Sequence, residues 1–467
     1  MNSNNKLNIK YLWLMAFVAA MGGFLFGYDW VVVGGAKNFY EPFFRLTTPN
    51  MKGWATSSAL IGCIFGALLC FALSDKFGRR RLLILSGFLF AVAAIGTATA
   101  NNFTMYTIFR IVGGFGIGIA LNLSPMYISE MSPPNMRGKF VSVNQLMIMI
   151  GILAAQTANW RISLMDTEMP ANATAEVIRQ SWNGQMGWRW MFGLQVFPAT
   201  LFFVLMIIMP ESVRWLVKKG QVAKARKVLT RIGGEDYAES EVSAIKNTIS
   251  DREVDKVHFR DLLEPRLFKI LVLGIFIAIL QQWCGMNVIF YYAADIFRAA
   301  GYDILQMMGQ IVIIGSVMVI SVIITILVVE KMGRKALMLL GTGGLALIYI
   351  LEGYFFHIDR LGISIVVLTL ASVAIYSLTL APITWVILSE IFPNRIRGAA
   401  MSITATALWI GNFSLTFTFP SIRENIGWTL NFWLYAVICI IGFVVILFKL
   451  PETKGKSLEQ IEKQLID

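Results

Sequence analysis

Residues 129–138 read SEMSPPNMRG and residues 389–398 read SEIFPNRIRG, and both fit the pattern S-E-x-x-P-x-x-x-R-G. Two more pairs keep the same order along the chain. DKFGRR at 75–80 pairs with EKMGRK at 330–335, and Pro210-Glu211-Ser212 pairs with Pro451-Glu452-Thr453. Motifs repeated in one order mark an internal duplication, which constrains the fold before any single element does. Each motif occupies a short polar interval between long apolar runs.

The 467-residue chain is 57% hydrophobic and 15% charged, and its mean hydropathy is +0.66. Such a composition excludes the soluble globular and disordered classes. Apolar runs of about 20 residues, the length that crosses a bilayer, recur along the whole chain. They cover 11–34, 53–73, 82–100, 103–124, 139–160 and 189–209 in one copy of the repeat. In the other they cover 266–296, 304–329, 336–357, 361–388, 399–420 and 427–449. The motifs fall on one side of the membrane in both copies, so the copies run parallel. The expected fold is an all-α membrane protein with twelve transmembrane helices in two parallel six-helix repeats. The expected organisation is a six-helix bundle over 1–209, a cytoplasmic linker over 210–265, and a second bundle with a cytoplasmic tail over 266–467. Within the linker, QVAKARKVLTRI (221–232) and EDYAESEVSAIKNTIS (235–250) read as short amphipathic helices.

The net charge is +12. Three quarters of the 40 Lys and Arg residues lie in 1–10, 74–81, 125–139, 210–269, 330–335, 389–398 and 449–467. By the positive-inside rule these segments are cytoplasmic, as are both termini, in a plasma (inner) membrane. That distribution accounts for the basic balance without nucleic acid. Cys63, Cys70, Cys284 and Cys439 all lie in apolar runs, as small core residues without disulfide or metal spacing. With two histidines and no nucleophile–base pattern, neither a metal site nor an enzyme is expected. The first apolar run is too long for a signal peptide and reads as a retained span.

Two features inside the spans oppose a purely apolar reading. Asp29 and Arg110 lie at matching depths in the outer halves of the first and fourth spans, and an ionisable residue in a span is a functional candidate. A carboxylate beside a guanidinium is pulled down in pKa by its partner and pushed up by burial. A helix rearrangement that changes this balance would bind or release a proton. The second feature is QQWCGMNVIFYYAADIF at 281–297. Its amides and tyrosines would be costly against hydrocarbon, so they face protein or a cavity that holds a polar solute.

The motifs in order are DKFGRRR, RIVGGFGIG, PMYISEMSPPNMRG, GWRWMF, PESVRWL, QQWCGMNVIFYY, WVILSEIFPNRIRG and PETKGKSLEQIE. Together they resemble the sugar porter family of the major facilitator superfamily over nearly the whole chain, and most of all its bacterial proton symporters for pentoses and hexoses. The resemblance implies proton-coupled uptake of a monosaccharide by alternating access. A facilitative sugar or polyol uniporter and a non-transporting nutrient sensor on the same fold are the alternatives. It implies a sugar as substrate, the bilayer as surroundings, no resident cofactor, the proton as coupling ion through Asp29 and Arg110, and a monomeric functional unit.

Residue by residue, the resemblance places the sugar against Gln281, Gln282, Asn287, Tyr291, Tyr292, Trp385 and Trp409, with Phe24 as a further apolar candidate. Amides suit hydroxyls because each offers a donor and an acceptor. It also implies a cytoplasmic gate of Asp75, Arg79, Arg80, Glu130, Arg137 and Glu211 in one half, and Glu330, Arg334, Glu390, Arg397 and Glu452 in the other. Three positions depart from the family: Ile152, Met318 and Leu408 stand where pentose and hexose porters commonly carry amides. Gln156, Ser321, Thr404 and Asn412 lie one turn away and would serve a solute placed or shaped differently, with Gln156 counted among the substrate-binding candidates. The loss of three amides suits a deoxy sugar, a cyclitol, an unusual pentose or a non-sugar solute.

Overall fold

The computed structural model describes residues 7–166, 170, 173–252, 264–393 and 396–454. Side chains at 71–72, 248–252, 266, 326–331 and 397–398 lie outside the description. All regular elements among the described residues are helical. The first repeat comprises α1 (Ile9–Phe43), α2 (Pro49–Phe77), α3 (Arg79–Ala98), α4 (Phe103–Met131) and α5 (Arg137–Ser163). Then come a short α6 (Ala175–Gln180), a π-helical turn (Asn183–Gly187), α7 (Trp188–Gly193) and α8 (Val196–Ile208). The turn, α7 and α8 act as one span, Asn183–Ile208. Three polar-interval helices follow: α9 (Val213–Lys218), α10 (Val222–Gly233) and α11 (Glu235–Arg252). The second repeat comprises α12 (Pro265–Trp283), α13 (Met286–Ala299), α14 (Ile304–Met332), α15 (Arg334–His357), α16 (Ile363–Leu378), α17 (Leu380–Ile391) and α18 (Arg397–Lys449).

Eleven helical runs are long and apolar enough to cross a membrane. The last, Ala399–Lys449, has 51 residues. At 1.5 Å per residue it would reach about 77 Å if straight, against a hydrocarbon core of about 30 Å. It bends at Gly427, whose φ of 72° and ψ of −178° are not helical. Ser421 Oγ donates to Asn50 Oδ1 at the start of α2, 3.2 Å away. Beyond the bend, Glu452 accepts from the backbone N–H of Arg334 at the start of α15. The run therefore returns to the end it left, and the expected twelve crossings stand. We call the end that carries the repeated motifs the motif end, and the other the far end.

Two spans that read as continuous in the sequence are broken. α12 and α13 meet at Gly285, which is left-handed (φ 88°, ψ −14°). A Cβ there would stand 2.9 Å from the Tyr435 ring and 3.0 Å from Tyr349 Oη, so glycine is required twice over. α16 and α17 meet at Thr379 (φ −124°, ψ −88°). The cause lies three residues on: Pro382 has no N–H to give to the carbonyl of Leu378. Polar side chains gather at the break. Thr325 Oγ1 lies 3.3 Å from the Ser377 and Leu378 oxygens, and Gln281 Nε2 donates to Ala381 O at 3.1 Å.

The two repeats meet along three helix pairs: α1 with α13, α2 with α18, and α5 with α14. A glycine sits at each crossing. Added Cβ atoms would lie 2.8 Å from Phe290 O at Gly34, 2.2 Å from Phe417 O at Gly53, and 2.1 Å from Gln156 Oε1 at Gly315. Small residues let membrane helices approach closely enough for dispersion to hold them.

The same logic operates between α2 and α4, where a Cβ on Gly114 would stand 1.8 Å from Ala59 O. Gly138, at the start of α5, has nothing within 4 Å. Gly114→Ala should therefore destabilise the protein by about 1–3 kcal/mol, the usual range for overpacking, whereas Gly138→Ala should not. Thermal melts followed by size-exclusion in detergent test this; equal melting temperatures for the two variants would contradict it.

Candidate functional site

The break at Gly285 lets the end of α12 and the start of α13 present their amides to one another. Asn287 Nδ2 donates to Gln282 Oε1 at 2.6 Å, and Gln282 Nε2 donates to Gln281 Oε1 at 3.2 Å. Gln281 in turn bonds the first turn of α17, as described above. The chain of amides leaves Asn287 Oδ1 buried without a protein partner. Gln281 and Gln282 line a cavity of about 100 Å³ between the two repeats. Trp385, Trp409 and Asn412 line it from α17 and α18, and Gln145 from α5. Both aromatic faces and amides are thus present, the chemistry that grips C–H surfaces and hydroxyls respectively.

Other candidates fall elsewhere. Asn287 supports Gln282 from behind. Tyr291 lines a separate small cavity beside Asp29 and Arg110. Tyr292 donates to Thr416 O at 2.8 Å and packs on Phe419, and its φ of −127° kinks α13. Gln156 is buried at the α5–α14 crossing against Gly315. Phe24 lies at the α1–α5 crossing, where its carbonyl is 2.1 Å from a Cβ built on Gly151. Two residues on, Phe26 lines the central cavity instead. Positions two apart on a helix point about 200° from each other, so both cannot face the same space. Of the three departures, Met318 and Leu408 line the cavity and Ile152 does not. Ser321 and Thr404 are buried and lie outside its lining, whereas Asn412 belongs to it.

Asp29 and Arg110 are 4% and 3% exposed. Arg110 donates to Asp29 Oδ1 at 2.7 Å. The contact is single rather than forked: Asp29 Oδ2 and Arg110 Nε are buried without partners. A pair held by one hydrogen bond has less to lose on separation than a bidentate one.

At the motif end the sequence repeat becomes an atomic one. Gly78 and Gly333 turn the chain with φ of 93° and 89°. After each, a glutamate caps the next helix. Glu211 accepts from the backbone N–H groups of Arg79 and Arg80, and Glu452 from those of Arg334 and Lys335. Arg79 pairs with Glu130 at 3.1 Å, and Arg334 with Glu390 at 3.4 Å. Arg79 also binds Asp75 at 3.1 Å, and Lys218 binds Asp75 at 2.8 Å. Arg80 spends its guanidinium on the Met206 and Ile207 carbonyls at the end of α8. Arg137 is exposed and donates to Ser129 O, apart from these networks. The side chains of Glu330 and Arg397 lie outside the description. Among the described side chains, every one of these bonds stays within one repeat.

Burial alone would raise the Asp75 carboxyl, but Lys218 and Arg79 outweigh it and hold the pKa below its ordinary value. Glu452 is likewise low, with backbone N–H groups overcoming burial. A depressed carboxyl stabilises the fold above its unfolded pKa and loses that contribution as pH falls through the folded one. The bonds made by Asp75 and Glu452 therefore contribute in full at neutral pH, and that contribution is lost in acid.

The far end is tied across the repeats. Lys37 of α1 hydrogen-bonds Asp295 of α13, stands 3.6 Å from Glu41, and lies over the Tyr292 ring at 4.0 Å from its centroid. Arg298 donates to Asn38 Oδ1 at 2.8 Å. Sequence reasoning passed over Lys37 and Asp295. It also missed Glu352 of α15, fully buried, which accepts from Thr369 Oγ1 at 2.8 Å. Asp295 and Glu352 both fall within expected spans, so the rule that singled out Asp29 marks them equally.

The family model described as "Sugar (and other) transporter" matches residues 15–465. The arabinose-proton symporter of Bacillus subtilis (strain 168) is 38% identical over 98% of this chain and 95% of its own length. The D-xylose-proton symporter of Escherichia coli (strain K12) is 33% identical over 98% and 96%. Among solved structures, the inward open conformation of the xylose transporter XylE from E. coli superposes with a TM-score of 0.83 at 32% identity, covering 97% of this chain and all of that one. XylE bound to 6-bromo-6-deoxy-D-glucose gives 0.79 at 32%, covering 98% and 100%.

Lys37 is buried and Asp295 half-buried, and loss of the Asp295 charge removes the bond that joins α1 to α13 while leaving Lys37 beside Glu41 of its own helix. Asp295→Asn should therefore shift the protein toward a state open at the far end. Spin labels on the exposed residues Thr47 and Leu305 should report a longer distance in the variant than in the wild type. Identical distance distributions would mean that the pair does not hold this end.

Proposed function

Because the chain belongs to the Sugar (and other) transporter family, we propose that it is a proton-coupled symporter that carries a monosaccharide across the plasma membrane by alternating access. The observation that carries this reading is the Asp29–Arg110 pair. It is a carboxylate inside a span, held by one hydrogen bond, next to a cavity lined with amides and tryptophans. Protonation removes the charge that Arg110 pairs with and lets α1 and α4 shift relative to each other. Loss of the proton restores the pair. If the loaded and empty forms reorient and singly loaded forms rarely do, sugar and proton travel together. The proton symporters among its relatives support this coupling.

The motif end is cytoplasmic on this reading, and the basic loops support that orientation. The bodies that rock are residues 1–209 and 266–467, joined by a cytoplasmic connector over 210–265. The state described here is then inward-facing. Far-end ion pairing and motif-end networks confined to one repeat both support it. Gln281, Gln282, Asn412, Trp385 and Trp409 hold the sugar, with Phe26 opposite. Asn287 fixes Gln282, while Tyr291 and Tyr292 close the outer side. The motif-end carboxylates and arginines serve as the gate that engages when this side shuts. One chain supplies the whole site, so the functional unit is a monomer without a resident cofactor. The relatives named for arabinose and xylose support a pentose, while Met318 and Leu408 offer its hydroxyls no amides at two positions of the lining.

Sugar-induced alkalinisation of the medium by whole cells tests the reading. Asp29→Asn should abolish alkalinisation and gradient-driven accumulation while sparing counterflow in proteoliposomes. Uptake unchanged by that substitution and by an uncoupler would leave a facilitator. Gln282→Ala should weaken sugar affinity about tenfold, since it removes a hydrogen bond to sugar and its own support of Asn287. Ile152 lies behind the cavity lining, so Ile152→Gln should alter sugar preference only if the site reshapes during the cycle. A panel of labelled sugars reads that difference.

A further inference from the structure

Asp29 and Trp30 are adjacent in sequence, and of the two only Trp30 reaches the central cavity. Asp29 lines a cavity of about 10 Å³ that it shares with Arg110 and Tyr291, and it does not line the central cavity. Trp30 lines both. Phe26 and Trp409 are also common to the two cavities. These three rings form the wall between them. Phe26 stacks on Trp30 with centroids 5.4 Å apart and planes at 13°, and it meets Trp409 edge-on at 6.3 Å. Behind the wall lie the unpartnered Asp29 Oδ2 and Arg110 Nε, and the Trp30 indole N–H is buried and unpartnered as well.

Symport requires a coupling free energy between the sugar site and the proton site. Direct contact is blocked, because the rings stand between the central cavity and Asp29. The sugar must then act through the wall. Of its three members, Trp30 alone is bonded to Asp29 along the same helical turn. Its indole N–H is fully buried without a partner. It also reaches the second repeat, meeting Phe290 of α13 edge-on at 5.2 Å and 71°. A shift of the broken segment α13, or of a sugar ring packed on the wall, therefore reaches Trp30 and the turn that carries Asp29.

We propose that Trp30 transmits sugar occupancy of the central cavity to the Asp29–Arg110 pair, as a positioning residue for the proton step. A bound sugar holds the indole in the wall and keeps cavity water from Asp29. When the sugar leaves, the ring moves and water reaches Oδ2. The step is a proton transfer: the carboxyl O–H bond of Asp29 breaks, and an O–H bond forms on water. The small cavity is large enough for about one water molecule, and its unpartnered polar atoms supply the contacts such a site needs. This inference rests on the proton-symport reading.

The test uses the full chain in proteoliposomes, with arabinose and D-xylose as probes and Trp30→Phe and Trp30→Leu as variants. Counterflow, which needs no proton gradient, reports binding and reorientation. Alkalinisation per sugar moved reports coupling. Because the sugar packs on this ring, both variants should lower counterflow somewhat, while Trp30→Leu should lower alkalinisation per sugar moved by about fivefold or more and shift the pH profile of exchange. Trp30→Phe, which keeps a flat ring, should fall between Leu and wild type. An unchanged ratio in both variants would overturn the proposal. So would counterflow and alkalinisation that fall in proportion, because Trp30 would then serve binding or packing alone. A wild type that exchanges neither sugar, or exchanges without alkalinisation, would instead remove the symport reading on which the proposal stands.

Discussion

Hydrocarbon gives a backbone carbonyl nothing to bond to, and this protein is arranged around the few places where its helices nevertheless break. At Pro382 and Gly285 the regular ladder stops inside the membrane. Each interruption survives because a neighbour supplies the missing partner. Thr325 and Gln281 serve the first break, and the amides of Gln282 and Asn287 stitch the second. The central cavity lies where these repairs are made. Its polar groups thus serve the fold and face the cavity together.

The bonding at the two ends of the bundle is unequal. At the motif end, ion pairs and glutamate caps tie helices within each repeat. At the far end, Lys37, Asp295, Arg298 and Asn38 tie one repeat to the other, close to the glycine crossings at Gly34 and Gly53. On the alternating-access reading, that difference between the ends gives the two halves a preferred direction in which to part.

Much of this was legible in the sequence, and the misses have a common physical source. Length and hydropathy reveal a span, and a repeated motif reveals a duplication, so the twelve crossings and the matched motif-end residues were readable. A helix apolar all round gives no periodic signal about which side faces what. Phe24 and Phe26 look alike in such a stretch, and only packing separates the crossing residue from the cavity residue. Trp30 was hidden for the same reason. The bend at Gly427 was visible as a gap between two apolar runs, whereas the breaks at Gly285 and Thr379 lay inside single runs. Lys37 and Asp295 were missed because their meaning depends on a partner some 260 residues away in the chain.

On the alternating-access reading, the half-buried ion pair at the far end also sets a toll on arrival. A solute approaching from that side meets a site that exists only in the fraction of molecules whose Lys37 and Asp295 have parted and rehydrated. Apparent affinity from that side is the intrinsic affinity scaled by that fraction. Two proteins with identical cavity walls would then differ in how dilute a nutrient they can harvest, solely through the strength of a lysine–aspartate contact well away from the sugar. Scavenging at low concentration is on this view a property of the far-end lock as much as of the binding pocket.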